Sequence, residues 1–404
     1  MTDSPLRTNG SALRILFLAP QPFFEVRGTP LAVLHMVRAL AALGHEVDLL
    51  TFPQGAPAPV PRVRHLRSLR LPVGRVKAGP SLAKMALDVP FMAEAVWRIG
   101  TGGYDVVHAV EEAALLAAPF ARVFGIPLVA DVDSSIPDQL RYSGFASRGP
   151  LVWLAEALER YALRRSAAVV TVCTSLTEAV RARAPRALVF QVEDPPLVDG
   201  VAADPGGALA LRRDLGLPAL PVVLYSGNFE PYQGVRLLVD AARLVPEACF
   251  LFMGGEPDEI AALKARAIMQ GAAERCVFSG KRPPSELPAF LAVADVLASP
   301  RHQGQNTPFK IFTYLASGKP LVATRIPTHT QLLDDSLAFL VEPTPEGLAA
   351  GMRQALSDPA EARARAARGR ELIDREYSSA RYTEKVARAY SAIADLVGAQ
   401  ASAA

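Results

Sequence analysis

Short apolar segments alternate with helical patterns along almost the whole chain. In the first half, six segments are nearly continuous apolar runs, which are typical of parallel strands buried on both faces. Between the first two, Leu31, Leu34 and Val37 form one face of a helical pattern that Gly44 ends. The predicted strands are Ile15–Ala19, Val47–Phe52, Val106–Val110, Leu128–Val132, Ala168–Cys173 and Leu188–Val192.

The alternation breaks near residue 193 and then starts again. Residues 193–200 and 204–207 are rich in Pro, Gly and Asp without periodicity, which predicts a linker. We therefore expect an α/β protein with two Rossmann-like, doubly wound parallel-sheet domains facing a central cleft, over residues 1–200 and 201–376. Residues 377–404 form a final helical segment. The strands predicted for the second domain are Val222–Ser226, Phe250–Met253, Val277–Ser279, Val296–Ser299, Leu321–Thr324 and Phe339–Val341.

Composition and charge exclude several classes of protein. Half of the 404 residues are hydrophobic, 21% are charged and the formal net charge is +3, so the chain is globular and no nucleic-acid partner is indicated. The three cysteines, Cys173, Cys249 and Cys276, lie far apart in or beside apolar runs, which predicts buried free thiols. No apolar run reaches the ~18 residues that span a bilayer, and we expect a cytoplasmic protein.

The loop after the first predicted strand has features of an anion site. Thr29 is a good N-cap residue and Pro30 a good first helical residue, while Gly28 permits a close approach of backbone or ligand. Free amides and the positive end of the helix dipole at such a start favour an anion. An ordinary βα loop is the alternative.

The second half of the chain repeats this Thr-Pro arrangement, with Thr307 and Pro308 at a predicted helix start. Lys310 then falls in the first helical turn, where the dipole disfavours a cation unless a negative group lies opposite. The position predicts a phosphate ligand, and a solvated surface lysine is the alternative. A further loop, framed by Gly227 and Gly234, has amides that can cradle a phosphate.

Three parts of the chain together match one known family pattern. They are Leu31–Val47, which contains a helical pattern and then Gly-His-Glu-Val, Tyr225–Gly234, and Ala294–Pro300 with Tyr314–Thr324. On these segments the chain resembles the glycosyltransferases of family 4, which have the GT-B fold. The first segment resembles the first helix of that family and its Gly-His-x-Val entry to the second strand, the second resembles the opening of the donor-binding domain, and the third resembles the most specific part of the pattern.

The resemblance implies transfer of a sugar from a nucleotide-sugar donor, UDP- or GDP-linked, to an acceptor hydroxyl. It further implies retention at the anomeric carbon, no cofactor, no obligatory metal, and a final helix that packs back on the first domain.

Four positions depart from the family pattern. Gln233 stands where a lysine commonly holds the donor diphosphate, and Asn228 stands where an arginine is frequent. The two family glutamates, which contact the sugar hydroxyls and the ribose, align with Gln305 and Thr313. These neutral residues leave open a catalytically degenerate nucleotide-sugar-binding protein.

A divergent branch with an Asn-Thr-Pro-x-Lys segment resembles this chain more closely. Here that segment contains Asn306, Thr307 and Lys310, and Lys310 supplies the missing cation. We expect Lys310, Gln233 and the two helix starts to bind the diphosphate. Another GT-B enzyme, such as a nucleotide-sugar epimerase or a phosphorylase, remains an alternative.

Polar residues of the first domain lie at or beyond the ends of strands, where they point into a ligand cleft. His108 is late in one strand, with Glu111 and Glu112 just beyond it, and Asp131 and Asp133 end the next. We expect His108, Asp131 or Asp133 to contact the transferred sugar or the acceptor hydroxyl. A satisfied strand-end histidine and a loop carboxylate are the alternatives. No metal is expected, because no further ligands accompany the two aspartates.

A basic segment precedes an apolar one in the first domain. Residues 62–84 hold seven cations and no acid, and residues 85–99 are mainly apolar. This combination suits peripheral contact of residues 62–99 with an anionic membrane, and with it a lipid-linked or cell-envelope glycan acceptor. A solvated basic face around a core helix is the alternative. The cations are Arg62, Arg64, Arg67, Arg70, Arg75, Lys77 and Lys84.

Overall fold

The chain divides into two compact units. The structure, a computed structural model, describes residues 12–25, 28–73, 81–142, 149–198 and 205–403. Tertiary contacts group Met1–Glu193 with Tyr382–Ala404, and Asp194–Arg381 form the other unit. Each unit contains one parallel sheet with an apolar cluster on either face.

The two sheets have seven and six strands, and their orders are β3-β2-β1-β4-β5-β6-β7 and β10-β9-β8-β11-β12-β13. The order reverses between β1 and β4 in the first sheet and between β8 and β11 in the second, so each sheet has a topological switch point. The first sheet comprises β1 Arg14–Ala19, β2 Glu46–Thr51, β3 Val63–Arg67, β4 Val106–Val110, β5 Leu128–Val132, β6 Ala168–Thr171 and β7 Leu188–Gln191. The second comprises β8 Val222–Ser226, β9 Cys249–Met253, β10 Cys276–Gly280, β11 Val296–Ser299, β12 Leu321–Thr324 and β13 Phe339–Val341.

Helices follow nearly every strand, and no helix within the described residues has an apolar stretch long enough to cross a bilayer. The first unit contains α1 Gly28–Ala42, α2 Leu82–Thr101, α3 Glu112–Val123, α4 Ile136–Tyr142, α5 Pro150–Arg165 and α6 Thr174–Arg183. The second contains α7 Pro205–Asp214, α8 Val235–Ala242, α9 Pro257–Met269, α10 Leu287–Val293, α11 Phe309–Ala316, α12 Pro327–Thr330, α13 Pro345–Ser357 and α14 Pro359–Leu372. The last helix is α15 Ser379–Ala403.

The two-sheet α/β architecture is confirmed, with one strand that the sequence did not predict. Strand β3 pairs in register with β2 at the edge of the first sheet, Val63 opposite Val47 and Arg67 opposite Thr51. Its Val-Arg-His-Leu-Arg sequence contains two exposed arginines, which an edge strand accommodates because it is only half covered. The sequence pattern did not predict this strand, because its basic residues interrupt the apolar run that indicates a buried strand. The three cysteines are buried and free, as predicted.

The start of α1 differs slightly from expectation. The helix begins at Gly28, so Thr29 and Pro30 lie within its first turn instead of at the cap and the first position. A Cβ added to Gly28 would meet no atom within 4 Å, so the surroundings do not demand glycine there. The preceding residues 26 and 27 lie outside the described part of the chain.

The final helix α15 packs on the first sheet. Tyr382, Val386, Tyr390 and Ile393 follow one another at helical spacing and are buried in the same apolar cluster as Phe17 of β1. A single stripe of the helix therefore closes one face of this unit.

We expect Ile393→Ala to destabilise the first unit, because a fully buried side chain is cut back to a methyl group. Such truncations cost about 2–5 kcal/mol. Urea unfolding followed by circular dichroism should show the transition of the first unit at a lower urea concentration than in the wild type, and the transition of the second unit unchanged. The matched control is Ser391→Ala on the exposed side of α15, which should change the free energy of unfolding by less than about 0.5 kcal/mol. Equal stabilities of both variants would contradict this packing.

Candidate functional site

Three loops of the second unit meet at the carboxyl edge of its sheet. Strand β8 lies between β9 and β11, so the segments that follow Ser226, Met253 and Ser299 are neighbours. The backbone N–H of Gly227 donates a hydrogen bond of 3.0 Å to the carbonyl of Met253. The switch point of this sheet, where α/β folds bind ligands, thus has loops in direct contact.

Glycine is required where these loops touch. A Cβ on Gly254 would lie 1.9 Å from the carbonyl oxygen of Gly227, and one on Gly234 would lie 2.0 Å from that of Pro300. All three glycines have positive φ, which other residues rarely adopt. Close backbone approach therefore requires glycine at 234 and 254, and the positive φ favours glycine at 227.

Lys310 lies at the centre of this edge. It is the second residue of α11, for which Pro308 is the cap. Its Nζ is 3.8 Å from the centre of the Tyr225 ring and donates to Gln233 Oε1 at 3.3 Å. A Cβ on Gly227 would come within 2.9 Å of the same nitrogen. A freely solvated surface lysine, the alternative considered from the sequence, is therefore wrong.

The electrostatics of Lys310 favour an anionic ligand. Burial lowers the pKa of its amine well below the ordinary value, and the nearby guanidinium of Arg301 lowers it further. Among the described residues, no carboxylate forms an ion pair with Lys310. A phosphate placed here would relieve both the desolvation and the repulsion.

Arg301 is a site residue that sequence reasoning missed. It follows β11 directly, it is buried, and its guanidinium lies 5.2 Å from the centre of the Tyr232 ring. It donates to the carbonyl of Gln303 at 2.7 Å and to Asn306 Oδ1 at 3.0 Å. The available signal was an arginine just beyond the end of a buried strand.

The other predicted residues of this loop mainly shape the backbone. The Gln305 carbonyl accepts from Gln331 Nε2 at 3.0 Å, and the Oδ1 of Asn228 accepts the N–H of Glu230 at 3.3 Å. Thr307 is buried just before the cap, so it is not the N-cap that the sequence predicted. Arg301 and Gln331 thus hold the loop that leads into α11.

Thr313 departs from its predicted contact with a ligand. It is 1% exposed, and its Oγ1 accepts the N–H of Leu197 at 3.0 Å. The hydroxyl therefore binds the backbone of the segment that enters this unit. The sequence alignment could not reveal this, because Leu197 lies 116 residues earlier in the chain.

A buried histidine stabilises the same carboxyl edge of the second sheet. His329 lies 2.7 Å from the Thr324 carbonyl through Nδ1 and 2.9 Å from Ser299 Oγ through Nε2. The carbonyl can only accept, so Nδ1 carries the proton and Nε2 accepts from the serine. Burial lowers the pKa of His329 to about 3, which keeps the ring neutral. Its bonds join the ends of β11 and β12.

In the first unit, His108 is a core residue. It is fully buried, stacks on Phe17 with ring centres 4.2 Å apart, and has both nitrogens occupied. Nδ1 lies 2.7 Å from the Tyr390 hydroxyl, and Nε2 lies 3.0 Å from Asp131 Oδ2. The prediction that His108 reaches a sugar or an acceptor is therefore not supported, because the alternation of β4 turns this side chain beneath α15.

The two aspartates differ in position. Asp131 lies within β5 and is the buried partner of His108, whereas Asp133 follows the strand. Both carboxylates are largely buried. Across the described ranges, no three His, Cys, Asp or Glu side chains come together in a way that could hold a metal ion.

Glu111, which the sequence singled out only as a neighbour of His108, is one of two non-glycine residues with positive φ among the described residues of this unit. Its φ is +49°, and its N–H donates to the Asp131 carbonyl at 2.8 Å. Its Oε1 accepts from Ser134 Oγ at 2.6 Å and from Gln139 Nε2 at 3.2 Å. Burial and the adjacent Glu112 raise the pKa of Glu111. Non-glycine residues with positive φ occur disproportionately at functional sites.

Much of the basic segment has structural partners. Arg64 donates to Asp48 from two nitrogens, Lys84 pairs with Glu112, and Arg67 donates to the Gly55 carbonyl at 3.1 Å. Arg75 and Lys77 fall outside the described residues. The continuous basic face predicted over residues 62–84 is therefore divided by the fold.

Two parallel-sheet α/β domains, with Lys310 and Arg301 beside glycine-containing loops at a strand edge, are typical of proteins that bind phosphorylated ligands at the carboxyl ends of strands. The family models described as "Glycosyl transferase 4-like domain" and "Glycosyl transferases group 1" match residues 27–193 and 220–358. The chain belongs to the group 1, family 4 glycosyltransferases, and its predicted GT-B fold and enzyme class are confirmed.

Relatives span nearly all of the chain. The 2-deoxystreptamine glucosyltransferase of Streptomyces kanamyceticus is 29% identical over 371 residues, which are 85% of this chain and 94% of that protein. The 2-deoxystreptamine N-acetyl-D-glucosaminyltransferase of Streptomyces fradiae is 30% identical and covers 70% of each chain. The fold matches Anabaena HepE, solved in complex with UDP and glucose, with a TM-score of 0.75 at 19% identity, over 94% of this chain and 99% of HepE.

We expect Lys310→Ala to weaken binding of UDP or GDP by ~1.5–3 kcal/mol, the contribution of a hydrogen bond to a charged group. The matched control is Lys264→Ala on the exposed side of α9, which should leave the dissociation constant unchanged. Isothermal titration calorimetry measures both. An unchanged affinity for the Lys310 variant would remove this amine from the site.

Proposed function

We propose that the protein is a retaining glycosyltransferase that moves a sugar from a UDP- or GDP-sugar to an acceptor hydroxyl. One observation carries the proposal: the amine of Lys310 lies at the start of α11, without an ion-pair partner among the described residues and beside the loop that Gly227 begins. That arrangement suits the diphosphate of a nucleotide sugar.

The chemistry follows from charge. Transfer leaves a nucleoside diphosphate, so the developing negative charge must be stabilised as the bond to the sugar breaks. The Lys310 ammonium and the positive end of the α11 dipole provide this in the proposal, with Arg301 holding the preceding loop through Asn306. No metal is needed for this role.

For the donor, UDP-sugars are the first choice. The Anabaena structure of the same fold contains UDP and glucose, and the two Streptomyces relatives are named for glucosyl and N-acetylglucosaminyl transfer. GDP-sugars remain the second choice. Gln233, which accepts from Lys310 through Oε1, keeps its amide nitrogen as a neutral donor for a phosphate oxygen.

We assign binding of the acceptor to the first unit. Glu111 and Asp133 lie just beyond the adjacent strands β4 and β5, where a hydroxylated glycan or lipid-linked acceptor would bind. Asp131 instead bonds to His108 in the core. Neither carboxylate needs to act as the base, because the leaving phosphate can take the acceptor proton.

We expect the product to keep the anomeric configuration of the donor. The donor and the acceptor are identified by incubating the protein with radiolabelled UDP- and GDP-sugars and a set of glycan and lipid acceptors. Proton NMR of the product then gives the anomeric coupling. Inversion would contradict the proposed mechanism.

The same assay separates the alternatives. Donor conversion without any acceptor would indicate an epimerase, and dependence on free phosphate would indicate a phosphorylase. Nucleotide binding without transfer from any donor would indicate a degenerate binding protein.

Binding of the diphosphate should take up a proton. The pKa of Lys310 is lowered in the free protein, and a neighbouring diphosphate raises it. Between these two pKa values the amine is neutral when free and charged when bound, so affinity should fall as pH rises through that window. Below the pKa of the free protein, Lys310 is already charged and takes up no proton when the diphosphate binds.

Calorimetry in two buffers of different ionisation enthalpy measures the uptake. We would repeat the measurement at several pH values above the second phosphate pKa of about 6, so that the uptake is followed across the window. Lys310→Met is the control and should abolish the difference between buffers. The same proton uptake in wild type and variant would show that another group titrates.

A further inference from the structure

Helix α2 has an apolar stripe on its exposed side. Leu82, Met85, Val89 and Trp97 follow one another at helical spacing, and each is more than half exposed; Val89 is 71% exposed and Trp97 is 60% exposed. Ala93 continues the same stripe. The opposite side of the helix is buried in the core, so α2 is apolar on both sides.

The two neighbouring helices repeat this feature. On α3 and at its end, Phe120, Val123 and Phe124 are exposed. On α5, Trp153 is 69% exposed, and Leu154 is exposed beside it. Trp97 and Trp153 are the only two tryptophans of the chain, and both lie on outward sides of these helices.

The three helices form one layer over the first sheet. Their inner sides share one apolar cluster, to which Phe91, Ala117 and Leu163 contribute, and α3 contacts both α2 and α5. The Phe124 ring lies so close to Gly100 of α2 that a Cβ there would come within 2.9 Å of it. Their outward sides therefore form a single surface, here called the three-helix face. Exposed apolar residues gathered on one surface, unlike singly scattered ones, mark an interaction site.

The acids of these helices are directed away from that surface or neutralised. Glu94 pairs with Arg98 at 2.6 Å, Glu159 pairs with Arg183 at 2.7 Å, and Glu156 pairs with Arg141. The remaining two acids, Asp88 and Glu112, neighbour Lys84. Burial and the Glu112 charge raise the pKa of Asp88 to about 7.

The exposed cations of the same helices have no such partners. Arg122, Arg160, Arg164 and Arg165 are exposed, and none forms an ion pair within the described ranges. The charge that accompanies the three-helix face is therefore positive, and its complement is an anionic surface.

We propose that the three-helix face attaches the protein to the surface of an anionic lipid bilayer, with the three helices lying along the interface. Apolar side chains enter the acyl boundary, the two tryptophans occupy the headgroup level that this residue favours, and the arginines meet anionic headgroups. A second copy of the chain fits less well, because a two-fold contact through this face would bring arginines together without acids to pair with them.

The proposal does not depend on the reaction assigned above. It relocates the membrane contact predicted for residues 62–99: α2 belongs to the face, whereas Arg64 and Lys84 are used in ion pairs with Asp48 and Glu112. The new parts of the surface are α3 and α5, which the sequence did not suggest.

Vesicle flotation tests the attachment directly. With vesicles of phosphatidylcholine and phosphatidylglycerol, the full chain should float at low salt and should float less at high salt, and pure phosphatidylcholine should retain less of it. Emission of the two tryptophans should shift to shorter wavelength on binding, because both enter a less polar environment. Absence of both flotation and an emission shift would overturn the proposal.

Exposed positions allow variants that keep the fold. Val89→Glu with Leu154→Glu should reduce the bound fraction at least tenfold, while circular dichroism remains that of the wild type. The matched control, Ile268→Glu, replaces a residue that is 68% exposed on α9 of the other unit, and it should bind vesicles like the wild type. Equal loss in the control would overturn the assignment of the face.

Sedimentation of the same variants tests whether a second copy of the chain, instead of a bilayer, covers the three-helix face. A dimer that the double substitution dissociates, in a protein that does not bind vesicles, would assign the face to a second copy and overturn the membrane proposal. A monomer that binds anionic vesicles supports it. Loss of vesicle binding leaves the glycosyl-transfer assay with soluble acceptors unaffected, so failure of either proposal is recognisable.

Discussion

An amine without a neighbouring acid is the constraint around which the second unit is arranged. Lys310 is held against the Tyr225 ring and the Gln233 amide, and burial together with Arg301 makes its charged form costly. A cation placed where its charge is disfavoured becomes stabilised only when an anion arrives. In the proposed function, binding of the diphosphate and protonation of Lys310 are therefore coupled. A lysine paired with a carboxylate would already be charged and would have to give up that partner.

The loops can bring Lys310 to this position only because side chains are absent at their contacts. The carbonyls of Gly227 and Pro300 lie where a Cβ of Gly254 or Gly234 would be. The site therefore depends on backbone approach as much as on the charged residue. A substitution at either glycine would move the 227–234 loop, and with it Gln233, away from the amine. This explains how a chain that lacks the common lysine at 233 can still present a cation at the same edge.

The sequence predicted the strands of both sheets well because buried parallel strands are continuous apolar runs, as in Val106–Val110 and Val222–Ser226. It missed β3, whose place at the edge of the sheet permits exposed cations at Arg64 and Arg67. Within the candidate site, position in the loop could be predicted for Lys310, but not the contacts of Arg301 or Thr313. Those contacts join residues far apart in the chain or depend on loop conformation. His108 shows the same limit: one residue of register decides whether a strand-end side chain meets a ligand or the core.

The helices of the first unit show a related ambiguity. An apolar stripe at helical spacing indicates that a helix face is covered, but it does not reveal by what. In α2 the Leu87 and Phe91 side is covered by the sheet, while the Val89 and Trp97 side is exposed. A helix with apolar stripes on two opposite sides is normally covered on both. Here only the inner half has a protein partner within the described residues, and the cations at the margin are those that anionic headgroups attract. Under the membrane proposal, a non-protein environment would cover the outer side of α2, and periodicity in one chain cannot distinguish such an environment from a core.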